Sequence, residues 1–263
     1  MTIRVAINGF GRIGRNILRG IIESSRTDIE VVAINDLGSV DTNAHLLQFD
    51  SIHGRFPVDV ISKDDFIDVG RGSIRVSAER DPALLDWSDV DVALECTGFF
   101  TDRDKAVTHL KNGSKRVLVS APSSGADKTI VYGVNHNTLT GDELIVSNAS
   151  CTTNCLAPVA MVLNRALGIK TGYMTTIHSY TGDQKLLDTL HKDLRRARST
   201  EGAMIPTSTG AAKAMSLVLP SLKGKLDGTA IRVPTPNVSL IDLTLVTDKE
   251  VTPESINLSL IHI

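Results

Sequence analysis

Two side chains in this sequence are placed to do covalent chemistry. Cys151 lies in Ser147-Asn148-Ala149-Ser150-Cys151-Thr152-Thr153-Asn154-Cys155, a run that opens a helical stretch continuing to about residue 167. A cysteine in a first helical turn faces the positive end of the peptide dipole, which favours thiolate over thiol. His178 follows the apolar run Tyr173-Met174-Thr175-Thr176-Ile177 and so projects from a strand end. An imidazole touching a thiolate holds it as an ion pair and then serves as general base. Ser150, Thr152 and Thr153 around the cysteine read as an anion or oxyanion nest. Cys155, one turn on and in line with Val159 and Val162, reads as core. A Cys151–Cys155 disulfide or metal pair fits the spacing alone, but no His/Asp cluster converges on it, so no metal is expected.

A second constellation sits near the N-terminus. Gly9-Phe10-Gly11-Arg12-Ile13-Gly14 is a G-x-G-x-x-G between the apolar strand Ile3-Arg4-Val5-Ala6-Ile7 and a helical stretch from about 12 to 24. In that setting Gly9 permits the tight turn, Gly11 lets a pyrophosphate approach the backbone and Gly14 lets helix pack on strand. Asp36 lies 22 residues beyond Gly14, at the end of the next strand. A carboxylate there accepts hydrogen bonds from adenosine ribose hydroxyls and repels a 2′-phosphate, so NAD is expected over NADP. A Cys/His hydrolase without a dinucleotide would leave this turn unexplained.

Several basic and hydroxyl residues complete an anion-binding reading. They are the run His191-Lys192-Asp193-Leu194-Arg195-Arg196-Ala197-Arg198, the stretch Thr207-Ser208-Thr209-Gly210 ahead of a helix, and Arg232 in a late strand. Each alone reads as solvated surface or a helix cap. Together with Cys151 they suggest a small phosphorylated substrate.

The elements that must hold these residues fall into two textures. Over residues 1–149, strands at 3–7, 29–34, 90–94, 116–119, 130–132 and 144–146 alternate with helices at 12–24 and 102–111, and shorter strands at 56–80 read as an insertion. That alternation predicts an α/β Rossmann domain with a doubly wound parallel sheet. Residues 150–263 read as an α+β catalytic domain with a mixed or antiparallel sheet: a helix, strands at 172–177 and 231–246, and a basic loop-rich stretch from 180 to about 205. The net charge of −2 argues against a nucleic-acid or polybasic membrane surface. No apolar run approaches a membrane span, no signal pattern opens the chain, and three cysteines fit a reducing cytoplasm.

These motifs resemble the glyceraldehyde-3-phosphate dehydrogenase family: INGFGRIGRN at 7–16, SNASCTTNCLAPV at 147–159, TTIHSYTGDQK at 175–185, HKDLRRAR at 191–198, PTSTGAAKA at 206–214 and RVPTPNVS at 232–239. The resemblance implies NAD-dependent oxidative phosphorylation of glyceraldehyde 3-phosphate to 1,3-bisphosphoglycerate with inorganic phosphate, through a Cys151 hemithioacetal and thioester. It implies that Thr181 and Arg232 hold the substrate phosphate. Ser150, Thr152, Arg196, Thr209 and Gly210 would surround the attacking phosphate, Arg12 and Ile13 the cofactor pyrophosphate, and Arg80 and Ser120 the dinucleotide groove. It further implies a cytoplasmic homotetramer, with residues 180–201 reaching a neighbouring subunit. Erythrose-4-phosphate dehydrogenase shares the SNASCTTNC core, but the stretches at 78–82 and 207–213 follow the glyceraldehyde pattern. Two departures stand out: Gly182 where many relatives carry Asn, and a match that stops near Asn257, with 258–263 not continuing the expected helix. The second makes the catalytic domain read as partial, and an inactive NAD-binding fragment is the alternative it raises.

Overall fold

In a computed structural model, which describes residues 2–261, the chain forms two compact units: Met1–Thr129 with Leu139–Asn148, and Ile130–Thr138 with Ala149–Ile263.

The first unit is built on a nine-stranded sheet. Its elements in chain order are β1 (Ile3–Asn8), α1 (Arg12–Glu23), β2 (Ile29–Asn35), α2 (Val40–Gln48), the short pair β3 (Phe49–Asp50) and β4 (Gly54–Arg55), β5 (Ile61–Lys63), β6 (Phe66–Asp68), β7 (Ser73–Ser77), β8 (Val92–Glu95), α3 (Arg103–Lys111), β9 (Arg116–Val119), β10 (Lys128–Thr129) and β11 (Ile145–Ser147). The spatial order is β10-β11-β9-β8-β1-β2-β7-β6-β5, parallel from β10 through β7 and antiparallel at the β7-β6-β5 edge. Val5 and Ile7 pack with Leu18, Ile21 and Ile22 of α1 and Leu47 of α2, while Ala6 on the other face packs with Leu85, Trp87 and Val90, so both faces are covered and Val5–Ile7 read as an apolar run. The turn from β1 into α1 is dictated by contact. A Cβ on Gly14 would lie 2.2 Å from the Gly9 carbonyl oxygen, and Gly9 itself takes φ +92°. Gly14→Ala therefore costs about 2–3 kcal/mol by overpacking, and the thermal midpoint in a scanning-calorimetry comparison falls by about 4–12 °C.

The second unit comprises α4 (Cys151–Leu167), β12 (Ile169–Ser179), β13 (Ile205–Ser208), α5 (Ala211–Val218), β14 (Leu226–Val233), β15 (Leu240–Thr247) and α6 (Pro253–Leu260). Its mixed sheet runs β13-β14-β12-β15, with β12 and β14 parallel and the other two pairings antiparallel. Leu156, Ala160, Leu163 and Leu167 of α4 pack with Met215 of α5 and Met174 of β12 in one core cluster.

Four local expectations are corrected. The strand expected at 130–132 is instead β10, at Lys128–Thr129; Val131 turns away and packs in the core of the second unit, its N–H donating to the Asn135 side chain. The strand pattern at 231–246 is two strands, because Pro234 and Pro236 interrupt the ladder between β14 and β15. Cys155 is exposed, one residue off the face that α4 buries. Residues 258–260 are helical in α6, which Thr252 and Ser255 cap reciprocally and which packs Ile256 and Leu260 on the core; His262 and Ile263 lie outside the described residues. Among the described residues no helix is long and apolar enough to cross a membrane.

Candidate active site

Cys151 is the first residue of α4. Ser150 caps that helix, its hydroxyl accepting from the Thr153 N–H at 3.0 Å, so the cysteine faces the positive end of a 17-residue helix. His178 is the penultimate residue of β12, and its Nε2 stands 3.1 Å from Cys151 Sγ. The bond from His178 draws the thiol down to about 7 against the opposing effect of burial, with the charge of His178 and the Thr152 N–H adding to it. Cys96 in the first unit behaves oppositely: burial pushes it up to about 11 despite a bond from Ser120. One thiol is thus half ionised near neutral pH and the other stays protonated.

The far side of the imidazole is equally constrained. Parallel pairing of β12 with β14 sets His178 against Arg232, and Nδ1 lies 2.8 Å from Arg232 Nη1 and 2.7 Å from the Ser179 carbonyl. A guanidinium only donates. Arg232 can donate to Nδ1 only in the neutral tautomer that carries its proton on Nε2, toward Cys151, whereas a ring that takes a proton at Nε2 carries Nδ1–H and gives it to the Ser179 oxygen. The general-base form is therefore the one held by the Ser179 carbonyl. Among the described residues Arg232 Nε is buried without a hydrogen-bond partner, and burial lowers the pKa of this guanidinium, with the nearby Arg196 charge adding to it. Such an orphaned donor invites an anion.

Arg196 donates to Thr207 Oγ1 at 2.9 Å and to Asp183 at 2.7 Å. His191 and Arg196 hold the Asp183 carboxyl below its usual range, against the effect of burial. Thr181 is tied to Gln184, Thr209 accepts from the Ala211 N–H, and Gly210 is the N-cap of α5. Thr152 is buried in the first turn of α4. No hydrogen bond joins Thr181, Thr209 or Gly210 to the Cys151–His178 pair among the described residues. The residues missed from sequence are the ones that orient these groups: Asp183, Gln184, Asp193 and the Ser179 carbonyl. Only the tertiary pairing reveals them, since nothing about their spacing marks them out.

The first unit holds a cleft of about 530 Å³ at the carboxyl ends of β1, β2 and β8, lined among others by Gly9, Gly11, Asp36, Arg80, Thr97 and Phe99. Asp36 accepts from the Phe10 N–H at 2.8 Å and the Gly38 N–H at 3.2 Å, which fixes its carboxylate at the cleft edge. Among the described residues a Cβ on Gly11 would meet nothing within 4 Å, and no side chain caps α1. An open glycine ahead of an uncapped helix is the cradle a pyrophosphate requires. Arg12 is ion-paired with Asp50, Ile13 is half exposed, and neither lines the cleft. Ser120 does not line it either, its hydroxyl being engaged with Cys96. Asn8, Asn35 and Thr97 were not anticipated; a polar residue closing an apolar parallel strand was the available signal.

A parallel α/β unit with a dinucleotide cradle, and a unit carrying a thiol lowered to about 7, fit the class of NAD-dependent oxidoreductases. Comparison with known proteins makes this particular. Residues 3–103 match the family described as the NAD binding domain of glyceraldehyde 3-phosphate dehydrogenase, and residues 150–262 match its C-terminal domain. The chain is 71% identical over 257 residues to glyceraldehyde-3-phosphate dehydrogenase of Cereibacter sphaeroides, covering 98% of this chain and 77% of that protein. It is 68% identical over 263 residues to the enzyme of Xanthobacter flavus, covering 99% and 78%. The enzyme of Pseudomonas aeruginosa is 57% identical over 260 residues, covering 98% and 78%. The chain belongs to the glyceraldehyde-3-phosphate dehydrogenase family.

Proposed function

We propose that this protein oxidises glyceraldehyde 3-phosphate to 1,3-bisphosphoglycerate with NAD and inorganic phosphate, and that Cys151 and His178 are its catalytic residues. The observation that carries this is the 3.1 Å contact between Sγ and Nε2, with the thiol drawn to about 7. The Cys151 thiolate attacks the aldehyde carbon, forming a C–S bond. His178, as imidazolium, delivers its Nε2 proton to the developing alkoxide of the hemithioacetal. NAD, when bound, supplies the hydride acceptor. His178 Nε2 takes the hydroxyl proton back as the carbonyl re-forms, leaving an acyl thioester on Cys151. A phosphate oxygen then attacks the thioester carbon; the C–S bond breaks and the electron pair returns to sulfur as thiolate, which the imidazolium stabilises.

Arg232, with its unpartnered Nε, and Thr181 are assigned to the substrate phosphate; Ser150, Thr152, Arg196, Thr209 and Gly210 are assigned to the attacking phosphate. For the cofactor, Gly9 and Gly11 serve the pyrophosphate, with Arg12 and Ile13 offering backbone N–H groups at the start of α1; Gly14 keeps that helix on its strand, Asp36 serves the ribose, Arg80 the groove, and Ser120 borders it through Cys96. The reading extends to a cytoplasmic homotetramer with a dinucleotide domain at 1–149 and a catalytic domain at 150–263. An assay following NADH absorbance with aldehyde, NAD and phosphate tests the activity; absence of NADH formation from the folded protein rejects it. Asp36→Ala raises the Kd for NAD by at least about tenfold by removing a charged acceptor, as titration calorimetry reads; an unmoved Kd refutes the cleft assignment.

A further inference from the structure

Beneath the cleft runs a polar ladder that no step above uses. Glu95 ends β8 and is 1% exposed. Both its oxygens are saturated by donors. Asn8 Nδ2 at 2.7 Å and His109 Nε2 at 2.9 Å reach Oε2, while the Thr97 N–H at 2.8 Å and the Thr97 hydroxyl reach Oε1. His109, fully buried on α3, faces the indole of Trp87, whose Nε1 lies 3.0 Å from Nδ1. An indole N–H only donates, so Nδ1 accepts and the ring proton sits on Nε2, directed at Glu95. On the other side Asn8 Oδ1 accepts from Asn35 Nδ2 at 2.8 Å, and Asn35 Oδ1 accepts from the Ser77 hydroxyl and the Glu79 N–H. The chain of bonds crosses the carboxyl ends of β8, β1, β2 and β7 in sequence, and Asn8, Asn35, Glu79 and Thr97 each line the cleft.

From this geometry we propose that Glu95 is a positioning residue for the dinucleotide. Its carboxylate orients Asn8 and Thr97, and through Asn8 also Asn35, so that the cleft floor is fixed before cofactor arrives. His109 and Trp87 act only to hold that carboxylate. A glutamine cannot replace it. An amide has one acceptor oxygen, so in either orientation its NH2 faces donors, Asn8 and His109 on one side or the Thr97 N–H on the other. A glutamine can, however, replace His109, because its NH2 donates to Glu95 while its oxygen accepts from Trp87.

The inference rests on reading the cleft as the NAD site. In the full chain, Glu95→Gln is expected to raise the Kd and KM for NAD at least tenfold, with kcat at saturating NAD and the aldehyde KM each within threefold. A folded Glu95→Gln protein with an NAD Kd within twofold of the parent overturns the proposal. So does an equal loss of kcat and rise in both KM values, which is what general loosening would produce. Should Glu95→Gln not fold, His109→Gln and His109→Leu decide: His109→Gln keeps the NAD Kd within threefold and His109→Leu raises it about tenfold, whereas equal values overturn the proposal. Asp36→Ala, measured alongside, separates the two failures. If it leaves the Kd unmoved, the cleft is not the NAD site and the inference falls with it; if it weakens binding and Glu95→Gln does not, the ladder alone is wrong.

Discussion

Cys151→Ser is expected to reduce NADH formation by at least about 10⁴-fold, about 5 kcal/mol of barrier, while leaving the fold intact. The substitution exchanges one small atom at the head of α4, where Ser150 supplies the cap and the first-turn geometry does not depend on sulfur. What is lost is ionisation. A thiol held at about 7 is half thiolate at neutral pH, whereas an alcohol has no comparable anionic fraction to attack with. A single-turnover experiment with NAD and aldehyde sharpens the test, because the burst of NADH must vanish with the sulfur. A Cys151→Ser protein that still gives a burst refutes covalent catalysis at this position. Cys155→Ser provides the contrast: that side chain is exposed and off the buried face, so turnover stays within about twofold.

The second large effect concerns pH. The Cys151 pKa is lowered from 9.0 to about 7, first by the bond from His178. A lowered thiol pKa means that the reactive form is present above about pH 7 and lost as pH falls through it. Alkylation of Cys151 by iodoacetamide should therefore rise between pH 6 and 8 and then level. His178→Asn removes the ring and its charge, so the thiol moves back toward 9.0. At pH 7 the thiolate fraction then drops from about one half to about one hundredth, a roughly 50-fold slower alkylation. Above pH 10 the two proteins should converge, since both are then ionised. Peptide mapping of the labelled protein assigns the signal to Cys151; Cys96, pushed up to about 11 by burial, contributes little below pH 9. A His178→Asn profile that overlays the parent profile would show that the helix, and not the imidazole, controls the thiol. Turnover in this variant should fall further than alkylation, because in the proposed reaction the same ring also moves the hemithioacetal proton.

Different parts of this arrangement were legible at different depths. β1, α1 and β2 could be read directly, because a parallel strand buried on both faces must be continuously apolar and a turn of Gly9-x-Gly11-x-x-Gly14 admits few other backbones. The strand expected at 130–132 lies two residues earlier for a related reason. Ile130 and Val131 are apolar because they are buried, but Val131 is buried in the second unit and the ladder ends at Thr129. Cys155 is exposed where its spacing reads as core because one step along α4 turns a side chain by about 100°, which separates a core position from an exposed one.

The amino-acid sequence by itself determined which groups are available and roughly where each sits along its element: a thiol at a helix start, an imidazole at a strand end, glycines at a strand-to-helix turn and a carboxylate one strand later. Those are local facts, set by the residue types and by short-range periodicity. Only the tertiary structure decided that His178 stands opposite Arg232 across β12 and β14, that the Ser179 carbonyl shares Nδ1 with that guanidinium, and that Glu95 gathers donors from β1, α3 and its own strand end. Such contacts join residues 54 and 87 positions apart. Their partners are chosen by strand order and register, and these emerge from packing the whole sheet.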